Sequence, residues 1–164
     1  MQAAAAKPVP HALAGALLAG VLVLYSLVLT FTGLNTNRAL GGVSLLLLAG
    51  GVAYFVWRQG TALGGGAAFG ELFSYGFKAT AVCTLVLIGF QWVFYTVFPE
   101  YREQLLDITR EEMVRQGVPE AQMGSALASM RDYFWAMTIG GALFSTLLTG
   151  AVGSLIGAGL AKRR

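Results

Sequence analysis

Apolar residues run almost unbroken through four tracts, Ala12 to Gly33, Leu40 to Trp57, Ala79 to Phe98 and Phe134 to Ala161, and polar residues gather between them. Each tract has roughly the 17 to 25 residues that an α-helix needs to cross a hydrocarbon core. The apolar residues fall on every side of each helix, so water-soluble packing would leave no polar face for solvent. The pattern predicts an all-α fold, a four-helix transmembrane bundle forming a single domain over 1–164. Its spans are expected at about 11–33, 40–58, 71–98 and 134–161, with a charged helical insert over 99–132 between spans three and four.

Helix breakers set the boundaries. Pro8 and Pro10 oppose helix, which puts the first helical residue near His11. Gly33, Leu34, Asn35, Thr36 and Asn37 combine helix-stopping Gly and Asn with polar turn formers, predicting a tight antiparallel hairpin of spans one and two. Arg58 and Gln59 are expected to end span two, and the uncharged, Gly-rich stretch from Gly60 to Gly70 reads as a flexible loop. The third helix should start near Phe69 and stop before Pro99. Within the insert, Gly117, Val118 and Pro119 place a stop and a fresh start, with the proline near a first helical position. Met123, Leu127, Met130 and Phe134 then make an apolar stripe at helical spacing, expected to lie on the bundle or at the membrane surface and to continue into span four.

Composition reinforces this picture. The chain is 56% hydrophobic and 12% charged, against about 25% charged residues in soluble domains. Seven of the eight acidic residues and four of the eleven basic ones lie between Pro99 and Asp132. The first tract is about twice the length of a signal-peptide apolar core, and Thr36, Asn37 and Arg38 do not form a small-x-small cleavage site, which favours a retained span. The lone Cys83 lies within span three and cannot form an intramolecular disulfide. An even number of spans puts Lys7, Arg58, Lys162, Arg163 and Arg164 on one side, with Lys78 reaching toward it, and Arg38, Arg102, Arg110, Arg115 and Arg131 on the other. The counts nearly balance. The dense Lys162 to Arg164 cluster abutting its helix favours cytoplasmic termini, because the four insert arginines are interleaved with acids.

Few residues are candidates for chemistry. Glu71, Tyr75 and Lys78 share one face at the start of span three. Ionisable groups in or near a span invite a functional reading, since an unpaired charge at mid-bilayer costs about 2.5 to 3.5 kcal/mol or more. The competing and favoured reading has Lys78 snorkelling to the interface and Glu71 solvated or capping the helix start. His11 has no sequence partner for a metal site and reads as an interfacial residue. Gln91 is deeper, where an amide more often bonds a neighbouring helix than serves transport. Trp92, Tyr95 and Phe98 with Tyr133, Phe134 and Trp135 form one aromatic belt, and Tyr54, Phe55 and Trp57 the other. Glu100, Glu103, Asp107, Glu111 and Glu112 lack an oxygen-ligand loop pattern, and Arg102, Arg110 and Arg115 are spaced to pair with them. Gly153 and Gly157, overlapped by Gly150 and Ser154, give small-x-x-x-small spacing in span four, and Ala16 and Gly20 repeat it in span one. These seams permit close packing within the bundle or between subunits. No catalytic residue, metal ligand or cofactor-binding pattern is evident.

The run Phe69, Gly70, Glu71, Leu72, Phe73, followed by Gly76, Phe77 and Lys78, resembles the bacterial domain-of-unknown-function family 4199. Phe98, Pro99, Glu100 and Tyr101 closing span three, the charged insert, and the Gly-rich last span ending in Lys162, Arg163 and Arg164 fit the same resemblance. It implies a four-span envelope protein of a kind found mainly in Bacteroidota, placed in the inner membrane, with no established activity and no catalytic residues to carry over. Three functions remain in order of preference. The first is an accessory or scaffolding subunit whose insert contacts a partner. The second is a small oligomeric transporter or channel using Glu71, Lys78 and Gln91. The third is a lipid-handling enzyme near Glu71 and Tyr75. A buried polar cavity joining Glu71, Lys78 and Gln91 would favour transport, and a lipid-sized groove with convergent polar groups would favour lipid handling. Expected partners are membrane lipid and another membrane protein or a second copy of the chain, with no nucleic acid.

Overall fold

Gly33, Gly64 and Gly117 close three of the helices, and Asn37 opens one. The computed structural model describes residues 8–34 and 37–162, and the backbone alone of Arg38. Among these residues the elements are α1 (His11–Phe31), α2 (Arg38–Ala62), α3 (Phe69–Val97), α4 (Glu100–Arg115), α5 (Glu120–Asp132) and α6 (Phe134–Lys162). Four helices, α1, α2, α3 and α6, are long and apolar enough to cross a membrane. No more than 28% of any of their most apolar windows is buried within the chain, so most of the apolar surface faces outward. Leu24, Leu46, Leu85 and Phe144 are among the exposed side chains. An apolar exterior this large suits lipid and not water.

Three of the six described helices, α1, α2 and α4, end in the same hydrogen-bonded motif. At the end of α1, Leu34 N–H donates to Leu29 O (2.9 Å) and Gly33 N–H to Thr30 O (3.1 Å), with Gly33 at φ +71°. Gly117 closes α4 in the same way, and Gly64 closes α2. Each is a Schellman motif, whose left-handed position favours glycine because no Cβ clashes there. Asn37 starts α2 by accepting from Ala39 N–H (3.0 Å) and Leu40 N–H (3.4 Å), an N-cap bond. Asn35 and Thr36, between these two signals, fall outside the described residues, as do Lys7, Arg163 and Arg164.

The second span differs from the sequence expectation. It does not end at Arg58 and Gln59 but continues to Ala62, and only 63–68 connect it to α3. Gly60 is the reason. It is buried, and a Cβ there would stand 2.6 Å from Ala161 Cβ and 3.3 Å from Leu72 Cδ1. This glycine lets helix ends approach and does not break the helix. Pro119 lies just before α5 as its N-cap, next to the first helical residue Glu120. The Met123, Leu127 and Met130 stripe is the less exposed side of α5. It does not run continuously into α6, because Tyr133 interrupts the helix at φ −103°, ψ 20°.

The chain divides into two compact units. One comprises α1, α2, α3 up to Leu87 and α6 from Leu143; the other is 88–142. The first is built around Leu18, Ala19 and Leu22 of α1, Leu48, Val52 and Val56 of α2, Leu72 and Cys83 of α3, and Ala158 and Ala161 of α6. Small residues bring the helices together there. A Cβ on Gly153 would stand 2.5 Å from Ala49 O, and one on Gly157 2.5 Å from Ala53 O, so α6 packs on the backbone of α2. Gly150 lies against Thr80, Gly76 against Ser154 and Val56, and Gly15 against Ala79 and Val82. Ala16 is exposed and Gly20 has open space around it. Buried hydroxyls sit among these glycines. Thr80 donates to Gly76 O (2.9 Å), Ser154 to Gly150 O (2.7 Å), Thr84 stands 2.9 Å from Thr80 O, and Thr84 and Thr146 hydroxyls meet across the α3–α6 contact at 2.9 Å.

In the second unit α4 and α5 form a hairpin. Arg131 Nη2 donates to Glu103 Oε2 at 2.7 Å, and Arg102 Nη2 donates to Arg131 O at 3.0 Å. Arg102 Cζ also lies 4.7 Å from the Phe134 ring centroid, a cation–π contact. Arg102 therefore binds a carbonyl and an aromatic face instead of the acid expected for it. Arg115 reaches Glu112 at 3.7 Å. Phe94 gathers Phe90, Tyr95, Phe98 and Tyr101, and Tyr95 meets Phe134 edge-on at 5.2 Å. In the first unit Tyr54 contacts Phe55 and Trp57.

Candidate functional site

The starts of α1 and α3 lie together in the first unit and build a polar groove. Prolines hold α1 off until His11, and Pro10 offers no side-chain cap, so the positive end of the helix dipole is uncapped there. Glu71, the third residue of α3, turns back so that Oε2 accepts from Ala68 N–H at 2.9 Å. This is the carboxylate half of a capping box. One turn on, the Tyr75 hydroxyl donates to Val9 O at 2.9 Å and ties the chain before α1 to α3.

Between these anchors lies an open groove of ≈ 390 Å³, lined by His11, Gly70, Glu71, Ser74, Tyr75 and Lys78. The volume falls in the range of small-ligand clefts, roughly 300 to 1,000 Å³. Gly70 has open space where a Cβ would stand, so it leaves the groove unobstructed. His11, Glu71 and Lys78 are exposed to it, and Ser74 and Tyr75 half-buried. Among the described residues, the Lys78 ammonium, the His11 imidazole and the Ser74 hydroxyl make no hydrogen bond or ion pair. Glu71 and Lys78, though on one face, are not paired with each other. Arg58, near the end of α2, interacts electrostatically with Tyr75.

The structure thus groups Glu71, Tyr75 and Lys78, and adds His11 and Ser74. Gln91 does not line the groove; it belongs to the second unit, where its Oε1 is buried without a hydrogen-bond partner among the described residues. Ser74 was legible as a groove residue, since it follows Glu71 by three positions and precedes Lys78 by four. His11 was legible only by combining elements. Spans one and three of an up-and-down bundle start on the same side, so their first residues are neighbours. Gly150, Gly153, Ser154 and Gly157 lie in the α6 seams and take no part in the groove.

Fold and groove together define a small helical protein with four membrane-competent helices among the described residues and an open polar groove at two helix starts. The chain belongs to the family described as "Protein of unknown function (DUF4199)", whose profile matches residues 13–163. No curated protein and no solved structure matches it.

Proposed function

We propose that the protein is a non-catalytic accessory protein of the membrane that holds the phosphate-bearing headgroup of a lipid in the groove of His11, Glu71, Ser74, Tyr75 and Lys78. One observation carries this reading: an ammonium, an imidazole and a hydroxyl without a partner among the described residues converge on an open groove at the ends of two membrane-competent helices. Helix ends of this kind meet the bilayer at headgroup level, where snorkelling lysines reside. Lys78 supplies a point charge, His11 and Ser74 supply donors, and the uncapped start of α1 adds positive potential. Ser74 and His11 do not hydrogen-bond to each other among the described residues, so the groove lacks the paired nucleophile and base that would favour an enzyme.

The reading is tested on the full chain in mild detergent by native mass spectrometry with added phospholipid or diacylglycerol of the same acyl chains. Wild type should retain phospholipid and not diacylglycerol, and Lys78→Met should lose most of that retention. Equal retention of both lipids, or of phospholipid by both proteins, overturns it.

A second reading keeps the accessory role and assigns it to the hairpin of α4 and α5. Its favouring observation is that Arg131–Glu103, Arg102 and Phe134 hold the hairpin in one shape, while Glu100, Asp107, Arg110 and Glu111 stay exposed. A partner that co-purifies with the full chain and vanishes on deletion of 100–131 would support it; a chain that comes out alone in both cases overturns it. With inner-membrane insertion and cytoplasmic termini, the groove at the starts of α1 and α3 faces the cytoplasm.

A further inference from the structure

Resting on the headgroup reading above, we propose that the groove selects an aminophospholipid, whose phosphate carries a primary ammonium, over lipids with a quaternary ammonium or an uncharged polyol head. The groove carries both signs of charge in a fixed order along α3. Glu71 is near the outer end of the helix, and Lys78 lies about 10 Å further into the span at 1.5 Å rise per residue. A phospholipid inserted in a bilayer has the same order, with phosphate nearer the hydrocarbon and the amine further out. Lys78 therefore meets the phosphate and Glu71 the ammonium.

Hydrogen-bond inventory sharpens the choice. Glu71 Oε2 is committed to Ala68 N–H, and Oε1 has no partner among the described residues. The Tyr75 hydroxyl spends its proton on Val9 O and keeps oxygen lone pairs toward the groove. Both are acceptors, so what they seek is a donor. A primary ammonium brings three N–H donors, a quaternary ammonium brings none, and a polyol brings hydroxyls but no charge to balance Glu71. His11 and Ser74 stand on the same groove to complete the phosphate contacts.

The experiment is a competition. Full-length protein in mild detergent receives equimolar phosphatidylethanolamine, phosphatidylcholine and phosphatidylglycerol of identical acyl chains, and bound lipid is read by native mass spectrometry. Glu71 is exposed, so solvent screening limits its contribution, and phosphatidylethanolamine should be enriched roughly fivefold over either competitor. Glu71→Gln keeps an oxygen to cap Ala68 but removes the charge; it should level the three lipids while total phospholipid retention persists. Gly70→Trp, which fills the groove without touching a charge, should lower retention of all three, and Lys78→Met should do the same. Protection of the buried Cys83 thiol verifies that each variant is folded. Wild-type protein that retains the three lipids equally overturns the selectivity and leaves the headgroup reading standing. Retention that ignores Lys78→Met and Gly70→Trp overturns both. Displacement of bound lipid by millimolar glycerophosphoethanolamine, which has no acyl chains, would overturn the lipid as the source of the headgroup.

Discussion

Replacing Gly157 by alanine tests whether α6 packs on the backbone of α2. The new methyl carbon would stand 2.5 Å from Ala53 O, 2.7 Å from Val56 Cβ and 2.9 Å from Ala53 Cα. Carbon atoms prefer about 3.5 to 4.0 Å, so the helices must part by about 1 Å or the carbonyl must tilt. Two of the three neighbours are backbone atoms with no rotamer to give. Overpacking costs about 1 to 3 kcal/mol, and against backbone atoms that cannot rotate away the upper part of that range applies, about 2 to 3 kcal/mol, while alanine regains about 1 kcal/mol over glycine in helix propensity. The net expectation is a loss of about 1 to 2 kcal/mol, or about 5- to 30-fold in the open population. Gly159→Ala is the control, because it makes the same propensity change with nothing within 4 Å of the new methyl. Cys83, 0% exposed in the core, provides the assay. Its modification by a small membrane-permeant thiol reagent in detergent micelles reports opening when reclosing outruns labelling. Gly157→Ala should label about 5 to 30 times faster than wild type, and Gly159→Ala no faster. Adding Gly153→Ala should cost less than the sum, since one displacement of α6 relieves the Ala49 and Ala53 contacts together. Equal labelling of the Gly157 and Gly159 variants would refute the close approach of α6 to α2.

Three further outcomes follow from the same contacts. Thr84→Val and Thr146→Val should show a coupling of about 0.6 kcal/mol in a double-mutant unfolding cycle, typical of interhelical hydroxyl bonds in membranes; strict additivity would mean the 2.9 Å contact carries no energy. Gln91→Leu should raise thermal stability slightly, because it removes a buried oxygen with no partner among the described residues; a lowered melting temperature would mean that the amide has a partner. Gln116→Cys should react with an impermeant maleimide on intact spheroplasts and Lys162→Cys only after lysis, if the termini are cytoplasmic; the opposite pattern would place the groove on the outer side.

The four long apolar helices and the stops at Gly33 and Gly117 were legible because bilayer thickness and helix-stop chemistry act locally. A run of apolar residues announces its own length, and Gly33 and Gly117 sit where a left-handed position ends a helix. Gly60 was misread for the complementary reason. By sequence it looks like Gly64, which ends α2 at φ +65°, and only the presence of Ala161 and Leu72 beside it makes it a packing residue. Arg102 was misread likewise: spacing along α4 pointed to acids, while the Phe134 face and the Arg131 carbonyl come from residues distant in sequence. The groove was half-legible. Glu71, Tyr75 and Lys78 declare themselves at helical spacing, whereas His11 joins them only once α1 and α3 start side by side.

The way polar groups are satisfied argues for placing function at the helix ends of the first unit. Thr80, Thr84 and Ser154 lie deep in their helices, and each hydroxyl bonds to a carbonyl one turn back. Such groups need nothing from outside, and they let Gly76 and Gly150 bring α3 and α6 close without leaving an orphaned donor in an apolar interior. A pathway through this unit would require the reverse, polar atoms that face a cavity and await a ligand. Atoms of that kind, without a partner among the described residues, are what Lys78, His11 and Ser74 offer, and they stand on an open groove where α3 and α1 begin. An unpaired ammonium is cheap there and expensive a few turns further along the helix. Selection for tight packing accounts for the first set of residues. In the second set His11 and Lys78 are exposed and add little to packing, which is what the proposed headgroup contact would account for.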